Sequence, residues 1–319
     1  MEAVIEKIRK AKSVAVLTHI GEDPDALGSA FAFCAVLKKM GKTAVCYVSE
    51  KPPARYTFIG GEYSLYDKEK IYDHDLCVCL DCGDIDRTGS RVKLFNETGN
   101  TVNIDHHRTN PMFADANYVE GGASATGEIL FKLFKEMDVE LDDEIARFLY
   151  IAICSDTGCF KYSSVTPDTM RVAADLLGYD FDAAEIARLL FDTDSLNVTK
   201  FKAELMSKIE SYAGGKVTVV RVPDDMYERY GLTLAEAPNS VEIARRIANT
   251  EIAVGLKNRN GEADVSFRSN GRADVSAIAM QFGGGGHRAA AGCTVKGKTF
   301  DEAAPDIIAA CEKVIYDGF

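Results

Sequence analysis

Through the first part of the chain, short apolar runs alternate with longer stretches of helical periodicity. The runs are SVAVL (13–17), TAVCYV (43–48), LCVCLD (76–81) and TVNID (101–105). They are apolar almost throughout rather than at every second position, which is the pattern of strands buried on both faces of a parallel sheet. Between the first two, Leu27, Phe31, Cys34 and Leu37 recur at helical spacing, so residues 25–40 form the crossover helix. Further helices are expected at 124–136, 142–154 and 168–177, the last two opened by the acidic capping residues Asp142 and Asp168. The opening MEAVIEKIRKAKS reads as an amphipathic helix of mixed charge.

From 185 to 212 the pattern becomes charged and continuously helical, with no glycine between Gly178 and Gly214. This predicts a helical connector. A second alternation follows: strands at 217–222, 252–257 and 263–268, a helix at 275–282, the glycine run Gly283 to Gly286, and a closing helix at 301–316. At 319 residues the chain exceeds what one core organises, about 250–300 residues. The expectation is an α/β protein of two domains: a parallel-sheet domain at 1–188, a helical linker at 189–212 and a smaller α/β domain at 213–319, with the active site in the cleft between them.

Composition narrows the function. No apolar run approaches the ~20 residues of a membrane span, and the N-terminus lacks the basic-then-apolar order of a signal peptide, so a soluble, cytoplasmic chain with no membrane partner is expected. The nine cysteines are odd in number and lie mostly in apolar runs, which suggests reduced, buried thiols; Cys79 and Cys82 form a CxxC without a second pair, which favours a structural role. A net charge of −12 argues against a surface that grips long duplex nucleic acid. It leaves phosphate substrates open, because bound divalent cations reverse the local sign of a carboxylate-lined site.

Four of the five histidines, His19, His106, His107 and His287, lie within two residues of glycine or aspartate at predicted strand ends or in loops. His19 opens HIGEDPDALGS with Asp23 and Asp25, Asp81 closes a strand, Asp105-His106-His107 follows another, and Asp156 follows an apolar helix. Any one of these has a bland reading, since DPD resembles a helix N-cap and Asp81 could cap the next helix. Together they are harder to attribute to capping, because in an open parallel sheet the carboxyl ends of the strands share one edge. Carboxylate and imidazole donors without thiolate suit Mn²⁺ or Mg²⁺ better than structural zinc.

This order, His-x3-Asp-x-Asp, a strand-end Asp, Asp-His-His and a later Asp-Thr-Gly, resembles the DHH phosphoesterase superfamily, and SFRSNGRADVSAIAMQFGGGGHRAAAG at 266–292 resembles its DHHA1 domain. Length and pairing are similar to the nanoRNase group of oligoribonucleases and pAp phosphatases. The resemblance implies two divalent cations, Mn²⁺ first with Mg²⁺ or Co²⁺ as alternatives. His19 and Asp23 would hold one, Asp25, His106 and Asp156 the other, and Asp81 would bridge. It also implies that His107 faces the phosphate and that Asp105 orients the histidines. Where the family often has Pro-Asp-Gly-Asp this chain has Glu22-Asp23-Pro24-Asp25, so Glu22 would add negative charge nearby.

In the second domain, GGGGH lets backbone N–H groups approach a phosphate, and the implied nucleotide-binding set is Arg268, Ser269, Gly285, Gly286, His287 and Arg288. The implied activity is hydrolysis of short RNA, linear dinucleotides such as pApA, and 3′-phosphoadenosine 5′-phosphate to 5′-mononucleotides by two-metal activation of water. Alternatives are a cyclic di-AMP phosphodiesterase, a RecJ-like single-strand exonuclease, and a non-catalytic nucleotide sensor, which would show lost ligands. A monomer and a homodimer are both compatible with the sequence.

Overall fold

A computed structural model describes residues 1–234 and 236–318. The chain divides into two units, Met1–Thr193 and Asp194–Phe319.

The first unit holds β1 (Ser13–Leu17), β2 (Thr43–Val48), β3 (Ser64–Leu65), β4 (Leu76–Leu80), β5 (Thr101–Asp105) and β6 (Ala116–Val119). All neighbours pair parallel, in the order β3-β2-β1-β4-β5-β6. Strand order therefore reverses between β1 and β4, and a crevice opens at their carboxyl ends. Its helices are α1 (Glu2–Lys10), α2 (Pro24–Lys39), α3 (Val92–Thr98), α4 (Thr126–Glu136), α5 (Asp143–Asp156), α6 (Pro167–Leu176) and α7 (Ala183–Phe191). Leu94 and Phe95 of α3 cover one face of the sheet, against Leu17, Cys77 and Cys79. The larger core lies on the other face, under α1, α2, α4 and α5. Burial on both sides is why β4 and β5 are buried at every position.

Helix approach on that second face is set by two glycines. A β-carbon at Gly28 of α2 would lie 2.6 Å from the Phe148 carbonyl of α5, and one at Gly127 of α4 would lie 2.6 Å from the Ala152 β-carbon. These contacts draw together the helices that carry Asp25, Thr126 and Asp156.

The second unit holds α8 (Leu196–Ser207), β7 (Glu210–Tyr212), β8 (Val217–Val222), α9 (Met226–Arg229), α10 (Ser240–Arg245), β9 (Ile252–Arg259), β10 (Glu262–Ser269), α11 (Val275–Gln281), β11 (Gly285–His287), β12 (Ala290–Val295) and α12 (Phe300–Asp317). Its sheet is mixed, in the order β11-β12-β10-β9-β8-β7, with β8 and β9 parallel and the other pairs antiparallel. One core packs beneath α11 and α12, the other beneath α8 and α10.

Several local expectations are revised. The stretch 185–212 is not one helix: α7 ends at Phe191, and Ser195 caps α8 by accepting from the Val198 N–H. Asp142 does cap α5, but α6 is capped by Thr166 rather than Asp168, in a reciprocal bond with Thr169. Asp156 is the last residue of α5 rather than a residue beyond it.

Candidate metal centre

β1 and β4 flank the reversal in strand order, so His19 and Asp81, each just past its strand, emerge side by side. The Asp81 backbone is left-handed at φ 55°, a conformation costing an ordinary L-residue about 1–2 kcal/mol. Its N–H donates to the Ile104 carbonyl at 3.1 Å, which ties the turn to the end of β5.

Two ligand groups meet at Asp81. Its Oδ2 lies 3.7 Å from His19 Nε2, which is also 3.7 Å from Asp23 Oδ2. Its Oδ1 lies 3.4 Å from His106 Nε2, which is 3.4 Å from Asp156 Oδ2 and 4.0 Å from Asp25 Oδ2. Each carboxylate oxygen of Asp81 thus faces a different histidine. Donor atoms of His19, Asp23 and Asp81, and separately of Asp25, His106 and Asp156, lie within 4.8 Å of one another. A third such set joins Asp81, His106 and His107.

The surrounding hydrogen bonds aim these donors. His19 Nδ1 donates to the Ile20 carbonyl at 2.9 Å, so Nδ1 is protonated and Nε2 faces the carboxylates. Asp23 Oδ1 caps α2 through the Ala26 N–H at 3.0 Å while Oδ2 faces His19; the capping and ligand readings of DPD hold at once. Asp25 is fully buried and accepts from Ser29 Oγ at 3.0 Å and from the N–H groups of Thr126 and Gly127 at 2.8 and 3.1 Å. Thr126 Oγ1 donates to Asp81 Oδ1 at 3.0 Å. Buried Asp105 accepts from His107 Nδ1 at 2.7 Å and from Asn110 Nδ2 at 2.6 Å. The sequence reading missed Ser29, Thr126 and Asn110. Asn110 was within reach of it, three positions past His107 in DHHRTN; Thr126 lies 45 residues from Asp81 and gave no local signal.

Electrostatics fit a cation. Among the described residues, Asp23, Asp25, Asp81 and Asp156 form ion pairs only with histidine. Burial, then the charges of Asp81 and Asp156, raise the Asp25 carboxyl well above its ordinary value. Burial with Asp81 and Asp23 brings Asp156 to about 7. Burial favours neutral imidazole at His19 and His106, but the neighbouring aspartates outweigh it and raise them to about 11 and about 10. Asp81 is held well below the carboxylate range, since His106 and His19 override its burial. Crowded buried carboxylates holding protons on their histidines are what divalent cations would relieve.

The expectation for Glu22 is corrected. It is 2% exposed and lies 3.1 Å from Nη1 of fully buried Arg91, whose remaining bonds go to the Tyr47 and Thr88 carbonyls. Its charge is compensated and adds nothing to the centre. All nine cysteines are free thiols, with Cys79 and Cys82 buried in the core beneath α3.

In the second unit, Arg268 pairs across β10 and β12 with Ala290, and Ala290 pairs with His287 of β11. Residues opposite each other share a face, so Arg268 and His287 stand in one cross-strand row, roughly 10 Å apart. Arg268 Nε donates to Glu242 at 2.8 Å, and Arg288 Nη2 to the Arg272 carbonyl at 2.9 Å. Ser269 lies on the opposite, buried face of β10 and accepts from the Gly271 N–H. Gly285 has open space about it, whereas a β-carbon at Gly286 would lie 2.6 Å from the Ala290 carbonyl, so Gly286 also serves the hairpin of β11 and β12.

The DHH family N-terminal domain matches residues 13–153 and the DHHA1 domain matches residues 214–317. The chain is 32% identical over 313 residues to the bifunctional oligoribonuclease and PAP phosphatase NrnA of Thermus thermophilus, covering 97% of this chain and 93% of that one. It is 26% identical to the protein of the same name from Bacillus subtilis, over 94% of each. An exopolyphosphatase-related protein from Bacteroides fragilis has the same fold, with a TM-score of 0.90 at 23% identity over 98% of this chain and 96% of that one. With both domains matched in order and a relative similar across nearly its whole length, the chain belongs to the DHH phosphoesterases that carry a DHHA1 domain, hydrolases of phosphate esters that use divalent metal ions.

Proposed function

We propose that this phosphoesterase hydrolyses short oligoribonucleotides, linear dinucleotides such as pApA, and 3′-phosphoadenosine 5′-phosphate to 5′-mononucleotides, with two Mn²⁺ ions at the centre. The observation that carries the two-ion reading is Asp81, whose two oxygens face His19 and His106 separately. His19 and Asp23 would hold one ion and Asp25, His106 and Asp156 the other, with Asp81 shared between them. When bound, two such ions lower the pKa of water and neutralise charge building on the phosphoryl oxygens. The protein supplies the rest. Thr126, Ser29 and the Ile20 carbonyl keep the ligands aimed. His107, tied through Nδ1 to Asp105, keeps Nε2 for the substrate, and that bond is also what raises its pKa. It donates a proton toward the phosphate or the leaving oxygen.

Nucleotide contact falls to the row of Arg268 and His287 with Arg288, Gly285 and Gly286 nearby in sequence, while Ser269 faces the buried side of β10. This assignment is supported by the arginine and histidine sharing one face of the sheet. Short substrates follow from the charge: a chain at −12 with one small basic cluster gains little from each added nucleotide. The names of the Thermus and Bacillus relatives point the same way.

A panel of pAp, pApA, RNA of two to five nucleotides, cyclic di-AMP and a 20-mer, assayed with Mn²⁺, tests this. The account predicts that kcat/KM peaks at two to five nucleotides, with a salt slope of roughly −1.5 to −2 for two or three phosphate contacts. Efficiency that climbs with length under a steep salt slope favours the single-strand exonuclease; a preference for the cyclic dinucleotide favours the cyclic di-AMP enzyme.

A further inference from the structure

His106 and Asp156 border a cavity of about 440 Å³ within the first unit, which Arg108, Gly121, Gly122, Ser163, Ser164 and Thr166 also line. Arg108 is exposed but fixed at its base. Its Nε donates to the Gly121 carbonyl at 2.8 Å, and a β-carbon at Gly121 would lie 2.8 Å from Arg108 Cγ. The glycine is therefore what lets the arginine stem lie flat on the loop. Among the described residues Arg108 forms no ion pair, so its two Nη groups keep their donors. A guanidinium fixed by Nε with its fork free suits bidentate capture of a phosphate.

The segment that carries Ser163 and Ser164 follows a strained turn. After Asp156 the chain passes through Gly158, Cys159 and Phe160 at φ 57°, 57° and 61°. Two of the three carry side chains, each costing about 1–2 kcal/mol in that region. Buried Thr157 stabilises the turn, its Oγ1 accepting from the Phe160 N–H at 3.0 Å and its carbonyl from those of Lys161 and Tyr162. The turn carries Ser163 and Ser164 to the cavity. Neither hydroxyl has a protein partner among the described residues. Apart from the ligand Asp156 the lining holds no acid, in a chain with twelve excess negative charges.

We propose that this cavity is a subsite for the non-scissile phosphate of a bisphosphorylated nucleotide, gripped by Arg108 and bonded by Ser163 and Ser164. Phosphates on the 3′ and 5′ oxygens of one ribose are separated by the sugar ring, and the cavity adjoins the centre at His106 and Asp156. The identity of the ligand rests on the nucleotide reading above; the anion-binding role does not.

The test compares adenosine 3′,5′-bisphosphate with adenosine 3′-phosphate, which lacks only the second phosphate, in the full chain with Mn²⁺. Arg108→Gln lowers the ratio of kcat/KM for the bisphosphate over the monophosphate by roughly 10–100-fold, the worth of charge-assisted bonds. Gly121→Ala, which displaces the arginine, lowers the same ratio. Losses equal on both substrates, or a ratio unchanged, overturn the proposal. In parallel, both nucleotides are measured as inhibitors of bis-p-nitrophenyl phosphate hydrolysis. Should the wild-type protein hydrolyse neither nucleotide, the bisphosphate part of the proposed function fails on its own. The subsite then stands if Arg108→Gln raises Ki for the bisphosphate about tenfold more than for the monophosphate, and falls if both Ki values move together or not at all.

Discussion

Thr126→Val removes one hydroxyl and almost nothing else. Thr126 is fully buried as the first residue of α4; its backbone N–H holds Asp25 at 2.8 Å and its Oγ1 holds Asp81 at 3.0 Å. Valine keeps the shape and the backbone bond, so Asp25 stays aimed while Asp81 loses its hydroxyl donor. A hydrogen bond to a charged group contributes about 1.5–3 kcal/mol. At about 1.4 kcal/mol per tenfold, that is roughly 10–150-fold in an equilibrium constant, in line with the 10–100-fold effect of losing a partner that orients a ligand. Because Asp81 faces both histidines, the loss falls on Mn²⁺ affinity at both positions, while folding stability changes by only about 1 kcal/mol. Calorimetric titration with Mn²⁺, paired with turnover against Mn²⁺ concentration, should show weaker binding and activity that recovers at saturating metal. Affinity within twofold of wild type, in a protein that folds normally, would refute the idea that Thr126 aims Asp81.

Arg91→Met leaves Glu22 buried without its partner and should destabilise the fold by about 3–5 kcal/mol, read from urea unfolding; a loss below about 1 kcal/mol would mean Glu22 finds another donor. Mn²⁺ binding should release protons, because the metal-free histidines at about 11 and about 10 are charged at pH 8 and must become neutral to ligate. Since their raised values lie above that pH, apparent affinity climbs as pH rises toward them, with Asp156 at about 7 contributing further release near neutrality. Titrations in buffers of different ionisation enthalpy check this, and a binding heat independent of buffer would count against it.

β1, β2, β4 and β5 and the residues behind them were legible because burial leaves unbroken apolar runs, after which a histidine or aspartate stands out. His19, Asp81 and the Asp105 to His107 triplet all fall just there. β3 was invisible because it is two exposed residues, and β6 because its register against β5, rather than its own pattern, makes ANYV a strand. The glycine run hid β11, since glycine is depleted in strands and only the close approach to β12 explains it. The break between α7 and α8 rests on a single Ser195 cap within a charged helical pattern. Glu22 was misread because its partner Arg91 lies 69 positions away, and pairing between distant side chains leaves no trace in local periodicity.

The central claim is that Asp81 joins two metal positions, and counting metal tests it most directly. Equilibrium dialysis against Mn²⁺, followed by elemental analysis, should find two ions per wild-type chain. Asp81→Asn keeps the shape but removes the charge that both positions share, so it should lose at least one ion and turn over phosphodiesters too slowly to detect. An Asp81→Asn protein that retains both ions and near wild-type turnover would contradict the account.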